Sequence, residues 1–171
     1  GHGIFLPNGS TNHVIEGNWI GVDVTGNAPL PNTSDGIAIN GTPTPPATGN
    51  VIRSNVISGN RNSGVQLSGT NAVGNTIEDN LIGVGADGTT AVRNGHPSIL
   101  TAGWGVLATS GDAIIRRNTI HNNGTGVQVG TSTSSAVAGV RITENSIAAN
   151  ARQSIDLGGD GPTANDAGDG D

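Results

Sequence analysis

The chain has 171 residues, of which 29 are glycine and only 2% are aromatic, and it contains no cysteine, methionine or lysine. So few large side chains argue against an ordinary globular core, while a hydrophobic fraction of 33% is too high for a disordered chain. The net charge of −6 argues against a nucleic-acid partner, which needs clustered cations. No apolar run approaches the roughly 18 residues of a membrane-spanning helix.

In chain order, the first predicted strand follows Gly3 and has apolar side chains at alternate positions, Ile4 and Leu6. The same unit, a small residue followed by apolar-x-apolar, returns five more times along the chain. Alternation with period two, bounded by glycine, asparagine and serine, is typical of β-strands. The six copies are residues 3–6, 36–39, 64–67, 105–108, 126–129 and 154–157.

A second unit lies between consecutive copies of the first and has the frame Ile-x-x-Asn-x-Ile. In its first copy, Ile15 and Ile20 flank Asn18. Its β-branched residues, and the absence of a sustained 3.6-residue spacing, disfavour helix. The five copies are residues 13–20, 50–57, 75–82, 113–120 and 140–147.

The strand-like units recur too far apart to form hairpins with their own kind. We therefore predict that they stack in parallel, coil upon coil, as an all-β solenoid of about six coils with long loops. Each isoleucine then lies about 4.8 Å from the equivalent isoleucine of the next coil. The predicted interior columns are Ile15, Ile52, Ile77, Ile115 and Ile142, and Ile20, Ile57, Ile82, Ile120 and Ile147.

The asparagine between the two isoleucines is predicted to mark a turn, because asparagine tolerates left-handed backbone angles and stacked amides hydrogen-bond along a column. A partial second column is predicted at Asn60, Asn123 and Asn150. Charges beside the turn alternate in sign from coil to coil, as at Glu16 and Arg53, which indicates ion pairs that fix the register. The first column comprises Asn18, Asn55, Asn80, Asn118 and Asn145.

These frames resemble those of bacterial right-handed parallel β-helix repeat proteins, whose fold is pectate-lyase-like. The resemblance covers nearly the whole chain. Residues 18–28 and 80–89 are similar to an insertion found in long secreted or surface proteins of this group, and residues 155–161 with 165–169 resemble the acidic tract that follows their last coils.

The resemblance implies a β-helix domain over residues 1–158 and an acidic Gly/Asp-rich tail or linker over residues 159–171. It also implies a location outside the cell or at the bacterial cell surface. Because the chain starts without methionine, inside a predicted strand, we expect a segment of a larger protein.

The same fold family includes polysaccharide lyases and glycoside hydrolases, which carry acidic residues on the outer face of one sheet. The outward positions of the first unit here hold a single acid, so the sequence argues against catalysis, and catalytic residues remain unassigned. These positions are Phe5, Ala38, Gln66, Leu107, Gln128 and Asp156. We expect a structural or adhesive segment that self-associates end to end; the alternative is a carbohydrate-binding or polysaccharide-processing domain.

Five residues are candidates for binding a carbohydrate: Trp19, Trp104, Gln66, Gln128 and Asp156. Indole rings stack on sugars, and outward amides and carboxylates hydrogen-bond to hydroxyl groups. For both tryptophans the alternative is a structural role, with the ring covered by a loop of the same chain.

Long loops are expected at residues 21–35, 41–49 and 83–103, where the coils lengthen. Insertions of this kind often form a binding face. Besides Trp104, their candidates are Asp23, Asp35, Asp87 and His96.

The acidic end is a candidate Ca²⁺ site, because carboxylates on a flexible backbone suit this ion. The alternative is a flexible linker, since EF-hand spacing is absent. The ligands would be Asp160, Asp166, Asp169 and Asp171. No other cofactor is expected, and the expected partners are a polysaccharide, a cell surface or further copies of the chain.

Overall fold

The computed structural model describes residues 1–96, 98–99, 103–131 and 137–161. Within these ranges the chain forms sixteen short strands and no helix that could cross a membrane. In chain order the strands are β1 (Ile4–Leu6), β2 (Val14–Glu16), β3 (Trp19–Ile20), β4 (Ile37–Gly41), β5 (Val51–Arg53), β6 (Val56–Ile57), β7 (Val65–Gly69), β8 (Thr76–Glu78), β9 (Leu81–Ile82), β10 (Trp104–Ala108), β11 (Ile114–Arg116), β12 (Thr119–His121), β13 (Thr125–Val129), β14 (Arg141–Thr143), β15 (Ser146–Ala148) and β16 (Ile155–Leu157).

The strands form three parallel sheets that run the length of a solenoid. Sheet 1 has the order β1-β4-β7-β10-β13-β16, sheet 2 has β2-β5-β8-β11-β14, and sheet 3 has β3-β6-β9-β12-β15. Each complete coil contributes one strand to each sheet. This confirms the predicted right-handed parallel β-helix of about six coils, while the division at residue 158 stays a prediction.

The interior contains the predicted isoleucine columns together with the inward apolar side chains of sheet 1, such as Leu67. In sheet 2, Ile52 pairs in register with Ile77, and in sheet 3, Ile57 pairs with Ile82. All four side chains are fully buried. Burying a side chain of this size contributes about 2 kcal/mol, so each repeated column makes a large contribution to stability.

The first asparagine ladder joins the coils at the corner between sheets 2 and 3. Asn55 donates from its backbone N–H and from Nδ2 to Oδ1 of Asn80, at 3.0 Å in both cases, and Asn80 bonds in the same way to Asn118. Nδ2 of Asn80 also donates to the carbonyl of Ile52, at 2.9 Å. These bonds satisfy amides that the coil structure buries.

The left-handed residue at this corner is the one before each asparagine, not the asparagine itself. The corner residues with positive φ are Gly17, Ser54, Asp79, Arg117 and Glu144. The expectation that asparagine supplies the left-handed angle is therefore wrong. Its amide instead bonds across the turn: Nδ2 of Asn118 donates to the carbonyl of Arg116 at 3.0 Å.

A second ladder, at the corner that follows sheet 3, is longer than predicted. Asn32 donates from Nδ2 to Asn60, Asn60 to Asn94, Asn94 to Asn123, and Asn123 to Asn150, at 2.9 to 3.3 Å. The sequence frame missed Asn94 because the insertion after β9 separates it from its coil.

Alternating charges pair between coils as predicted. Arg53 Nε lies 2.5 Å from a carboxylate oxygen of Glu16, and Arg116 Nε lies 2.7 Å from one of Glu78. Arg117 bridges Asp79 at 2.8 Å and Glu78 at 3.0 Å. The hydrogen bond from Arg117 lowers the pKa of Asp79.

Candidate functional site: insertion loops and outer faces

The first insertion is a small hairpin built on one carboxylate. An antiparallel bridge joins Val22 to Pro29. Between them, Oδ1 of Asp23 accepts hydrogen bonds from the Thr25 N–H at 3.1 Å, the Thr25 hydroxyl at 2.7 Å and the Ala28 N–H at 3.3 Å. These bonds, that from the Thr25 hydroxyl above all, lower the pKa of Asp23.

The second insertion repeats this design two coils later. Val84 bridges to Ala91, and the carboxylate of Asp87 accepts from the Thr90 hydroxyl at 2.6 Å and from the N–H groups of Thr89 and Thr90 at 2.8 Å. The Thr90 bonds are the main cause of the lowered pKa of Asp87, about 2. Both aspartates therefore anchor turns of their own loops.

The two hairpins contact each other across the intervening coil. The Ala86 N–H donates to the carbonyl of Gly26 at 2.9 Å, and the Asp87 N–H donates to Oδ1 of Asn27 at 3.3 Å. Gly26 has a φ of 72°, and a Cβ there would lie 2.6 Å from the Cβ of Ala86, so this approach requires glycine.

A small second core lies beneath the paired hairpins. It contains Val22 and Val92 from the two insertions and Val56 from β6, with Leu81 and Ala86 packed against it. The insertions thus cover part of the outer face of sheet 3. The long-loop prediction located them, but their mutual packing gives them a structural role that the sequence did not indicate.

Trp19 lies at the edge of this cover and is 51% exposed. It pairs in register with Val56 at the start of sheet 3, and a Cβ on Gly26 would lie 3.2 Å from its ring. One side of the indole therefore rests beside the first hairpin while the other is available to solvent.

Trp104 and Gln128 bind to each other on sheet 1. The indole Nε1 donates to Oε1 of Gln128 at 2.6 Å, and Nε2 of Gln128 donates to the carbonyl of Gly130 at 2.9 Å. Gln128 is buried and Trp104 is half-buried. Their polar groups are therefore already engaged within the chain.

Most of the outward column of sheet 1 is not open surface. Ala38, Leu107 and Asp156 are buried, and only Phe5 in this column is exposed, to 51%. Oδ1 of Asp156 accepts from the Gly159 N–H at 3.1 Å. The half-buried Gln66 pairs in register with Ala38 and Leu107, so it has apolar neighbours on both sides.

The carbohydrate candidates therefore lie on two separate surfaces. Trp19 is on sheet 3, whereas Gln66, Trp104, Gln128 and Asp156 are on sheet 1. Their role in carbohydrate binding stays a prediction.

Asp35 is a buried carboxylate held by the next coil. It is 1% exposed, and its Oδ1 accepts from Nδ2 of Asn62 at 2.8 Å and from the Ser63 N–H at 2.9 Å. Nδ1 of His2 lies 3.1 Å from the other oxygen. The sequence pattern did not connect these residues, because none belongs to the repeated frame.

His96 is exposed, and its Nδ1 accepts from the Ser98 N–H at 3.3 Å. In the described ranges there is no cluster of three or more histidine or acidic side chains that could hold a metal ion. Asp160 is exposed, and the other predicted Ca²⁺ ligands, Asp166, Asp169 and Asp171, lie outside the described residues.

A groove of about 390 Å³ runs where both insertions leave the solenoid. Pro29, Pro31 and Val92 form apolar walls, and Arg61 and Arg93 also line it. Burial lowers the pKa of Arg93. Apolar walls with a few polar groups are common in small-molecule sites.

Three parallel sheets with asparagine ladders at their corners define a parallel β-helix. The chain matches the family described as right handed beta helix region over residues 1–166, and it belongs to this family. No significant match occurs among curated proteins or solved structures.

Proposed function

We propose that this β-helix is a structural segment of an extracellular or cell-surface protein, a rigid support without catalytic activity of its own. The observation that carries the proposal is that most of the polar side chains expected to bind a ligand form hydrogen bonds within this chain. Asp23, Asp35, Asp87, Gln128 and Asp156 all have hydrogen-bond partners within the fold.

The charge of the outer face of sheet 1 supports a role without catalysis. Glycosidases use two carboxyl groups, about 5 to 9.5 Å apart, on either side of the scissile bond. Asp156 is paired in register with Gln128, and the other residues of this outward column are uncharged. A hydrolytic pair is therefore missing from the described part of this face.

Carbohydrate binding is a second candidate function, and the groove between the insertions favours it. The guanidinium of Arg61 at a groove with proline and valine walls suits an acidic sugar, whose carboxylate pairs with arginine and whose ring carbons contact apolar side chains.

A glycan array that includes neutral and uronate oligosaccharides separates these two functions. The structural proposal predicts no saturable binding and no depolymerisation of uronate polymers, with or without Ca²⁺. Saturable binding that Trp19→Ala or Arg61→Ala abolishes, and that Arg152→Ala at the far end leaves unchanged, would establish the binding function instead.

A further inference from the structure

Both asparagine ladders have a direction. Asn118 donates from its backbone N–H and from Nδ2 to Oδ1 of Asn145, at 2.9 and 3.0 Å. Asn123 donates in the same way to Oδ1 of Asn150, at 2.9 and 3.3 Å. Each coil therefore donates towards the last coil and accepts from the coil before it.

The first and last coils consequently present opposite halves of the same bond. At the last coil, the N–H groups of Asn145 and Asn150 find no acceptor among the described residues, and each Nδ2 donates only back to the carbonyl of Ile115 or Ile120. At the first coil, no described residue donates to Oδ1 of Asn18, although its own N–H and Nδ2 donate onward.

The main chain has the same complementarity. The residue after a ladder asparagine donates to the asparagine carbonyl of the preceding coil, as the Ser146 N–H does to Asn118 at 2.9 Å. By this pattern the Trp19 N–H points out of the first coil, and the Asn145 carbonyl points out of the last.

Apolar side chains of the interior columns are exposed at the last coil. Leu157 is 70% exposed, whereas Leu67 in the same column is fully buried. Ile155 is also exposed, although its register partner Val127 is fully buried. A further coil at this position would cover both side chains.

We propose that the coil covering these side chains belongs to a second copy of this chain, whose first coil stacks on the last coil of its neighbour. The inference rests on the proposed structural role and names the partner. In this arrangement Asn145 donates to Asn18 of the next copy, and Leu157 is covered by its Leu6. The contact joins different surfaces, so each added copy leaves another free end, and the assembly is an open filament.

Cross-linking tests the geometry of the stack directly, because the chain has no cysteine. Val14 and Arg141 occupy the same position of the first and last sheet 2 strands. In the stack their Cα atoms are about 4.8 Å apart, which a disulfide spans. The oxidised double variant Val14→Cys, Arg141→Cys should form dimers, trimers and longer disulfide-linked chains.

The matched control pairs Arg141→Cys with Val24→Cys, which is highly exposed but lies on the first hairpin. Random collisions would polymerise both double variants alike. Equal polymerisation of the two, or dimers alone in the first, would overturn the proposal.

Sedimentation velocity gives the second test. The average mass of the unmodified chain should rise with concentration without stopping at a dimer, Leu157→Arg should remain monomeric, and Leu30→Arg should behave like the unmodified chain. Leu30 is a close control because it is 67% exposed on an insertion. If the unmodified chain remained monomeric up to ~1 mM, the stacking proposal would be overturned, while the result of the glycan array would be unaffected. Saturable glycan binding would instead overturn the structural role, whatever average mass sedimentation gives.

Discussion

At the residue scale, the corner between sheets 2 and 3 shows how a side chain sets a backbone conformation. A left-handed angle costs a non-glycine residue about 1–2 kcal/mol, yet Ser54 and Arg117 adopt it. The amide of the next residue compensates: Nδ2 of Asn55 donates to the carbonyl of Arg53 at 2.8 Å and so closes the turn.

Ala149, before the last asparagine of the second ladder, is exposed and has a φ of 54°. Ala149→Gly removes the left-handed strain but adds unfolded-state entropy, so we expect a gain of about 0.5 kcal/mol in the free energy of unfolding. Ala148→Gly, in the adjacent exposed strand position, should lose about 0.5–1 kcal/mol. Urea denaturation measures both, and a loss in both variants would contradict this explanation.

The position of an asparagine in the ladder determines its contribution. Asn80→Ala removes the acceptor of the buried Asn55 N–H and the side-chain donor to the carbonyl of Ile52, which should cost about 2–4 kcal/mol. Asn18→Ala at the exposed first coil should cost about 1 kcal/mol or less. Guanidinium unfolding of the two variants compares them; equal losses would show that ladder burial is unimportant.

At the element scale, the two insertions act as one cover rather than as separate loops. Each is a hairpin closed by an aspartate, and their contact joins residues 60 positions apart, Asn27 and Asp87. The contact forms because the intervening coil has no insertion at Ser58 and Gly59, so the neighbouring hairpins close over it.

Asp87 should make the second hairpin sensitive to acid. Its pKa of about 2 is below the ordinary value of 3.8 for an aspartate, so its contribution to stability is complete above pH 4 and is lost as the pH falls through 2. Asp87→Asn should therefore be less stable than the unmodified chain at pH 6, with a difference that shrinks towards pH 2. Thermal unfolding across this range measures the difference; a constant difference would contradict the assignment.

From the sequence, the strands and ladders of the repeated units could be predicted, but the contacts of residues outside those units could not. Ile77 and Asn80 were placed correctly, because period-two alternation and a repeated frame fix the register of every coil. The contact between Trp104 and Gln128 could not be predicted, since it joins a residue of the repeat to one at an irregular coil entrance. The pairing of Asp35 with Asn62 and His2 was missed for the same reason.

At the scale of the whole molecule, each coil contacts only its neighbours, so position along the axis should govern the effect of a core substitution. Ile77→Ala, in the fully buried middle of the sheet 2 column, should cost about 3–4 kcal/mol. Ile142→Ala, half-buried in the last coil, should cost about 1–2 kcal/mol. Chemical denaturation measures the two, and a larger loss at the last coil would contradict a nearest-neighbour solenoid.

The paired hairpins break this nearest-neighbour rule at one place. The contacts of Ala86 with Gly26 tie the first coil to the third across the second. When the chain is pulled from its first residue, the first coil cannot peel away until that tie opens. Its force trace should therefore show one large early step that releases several coils together, followed by smaller steps.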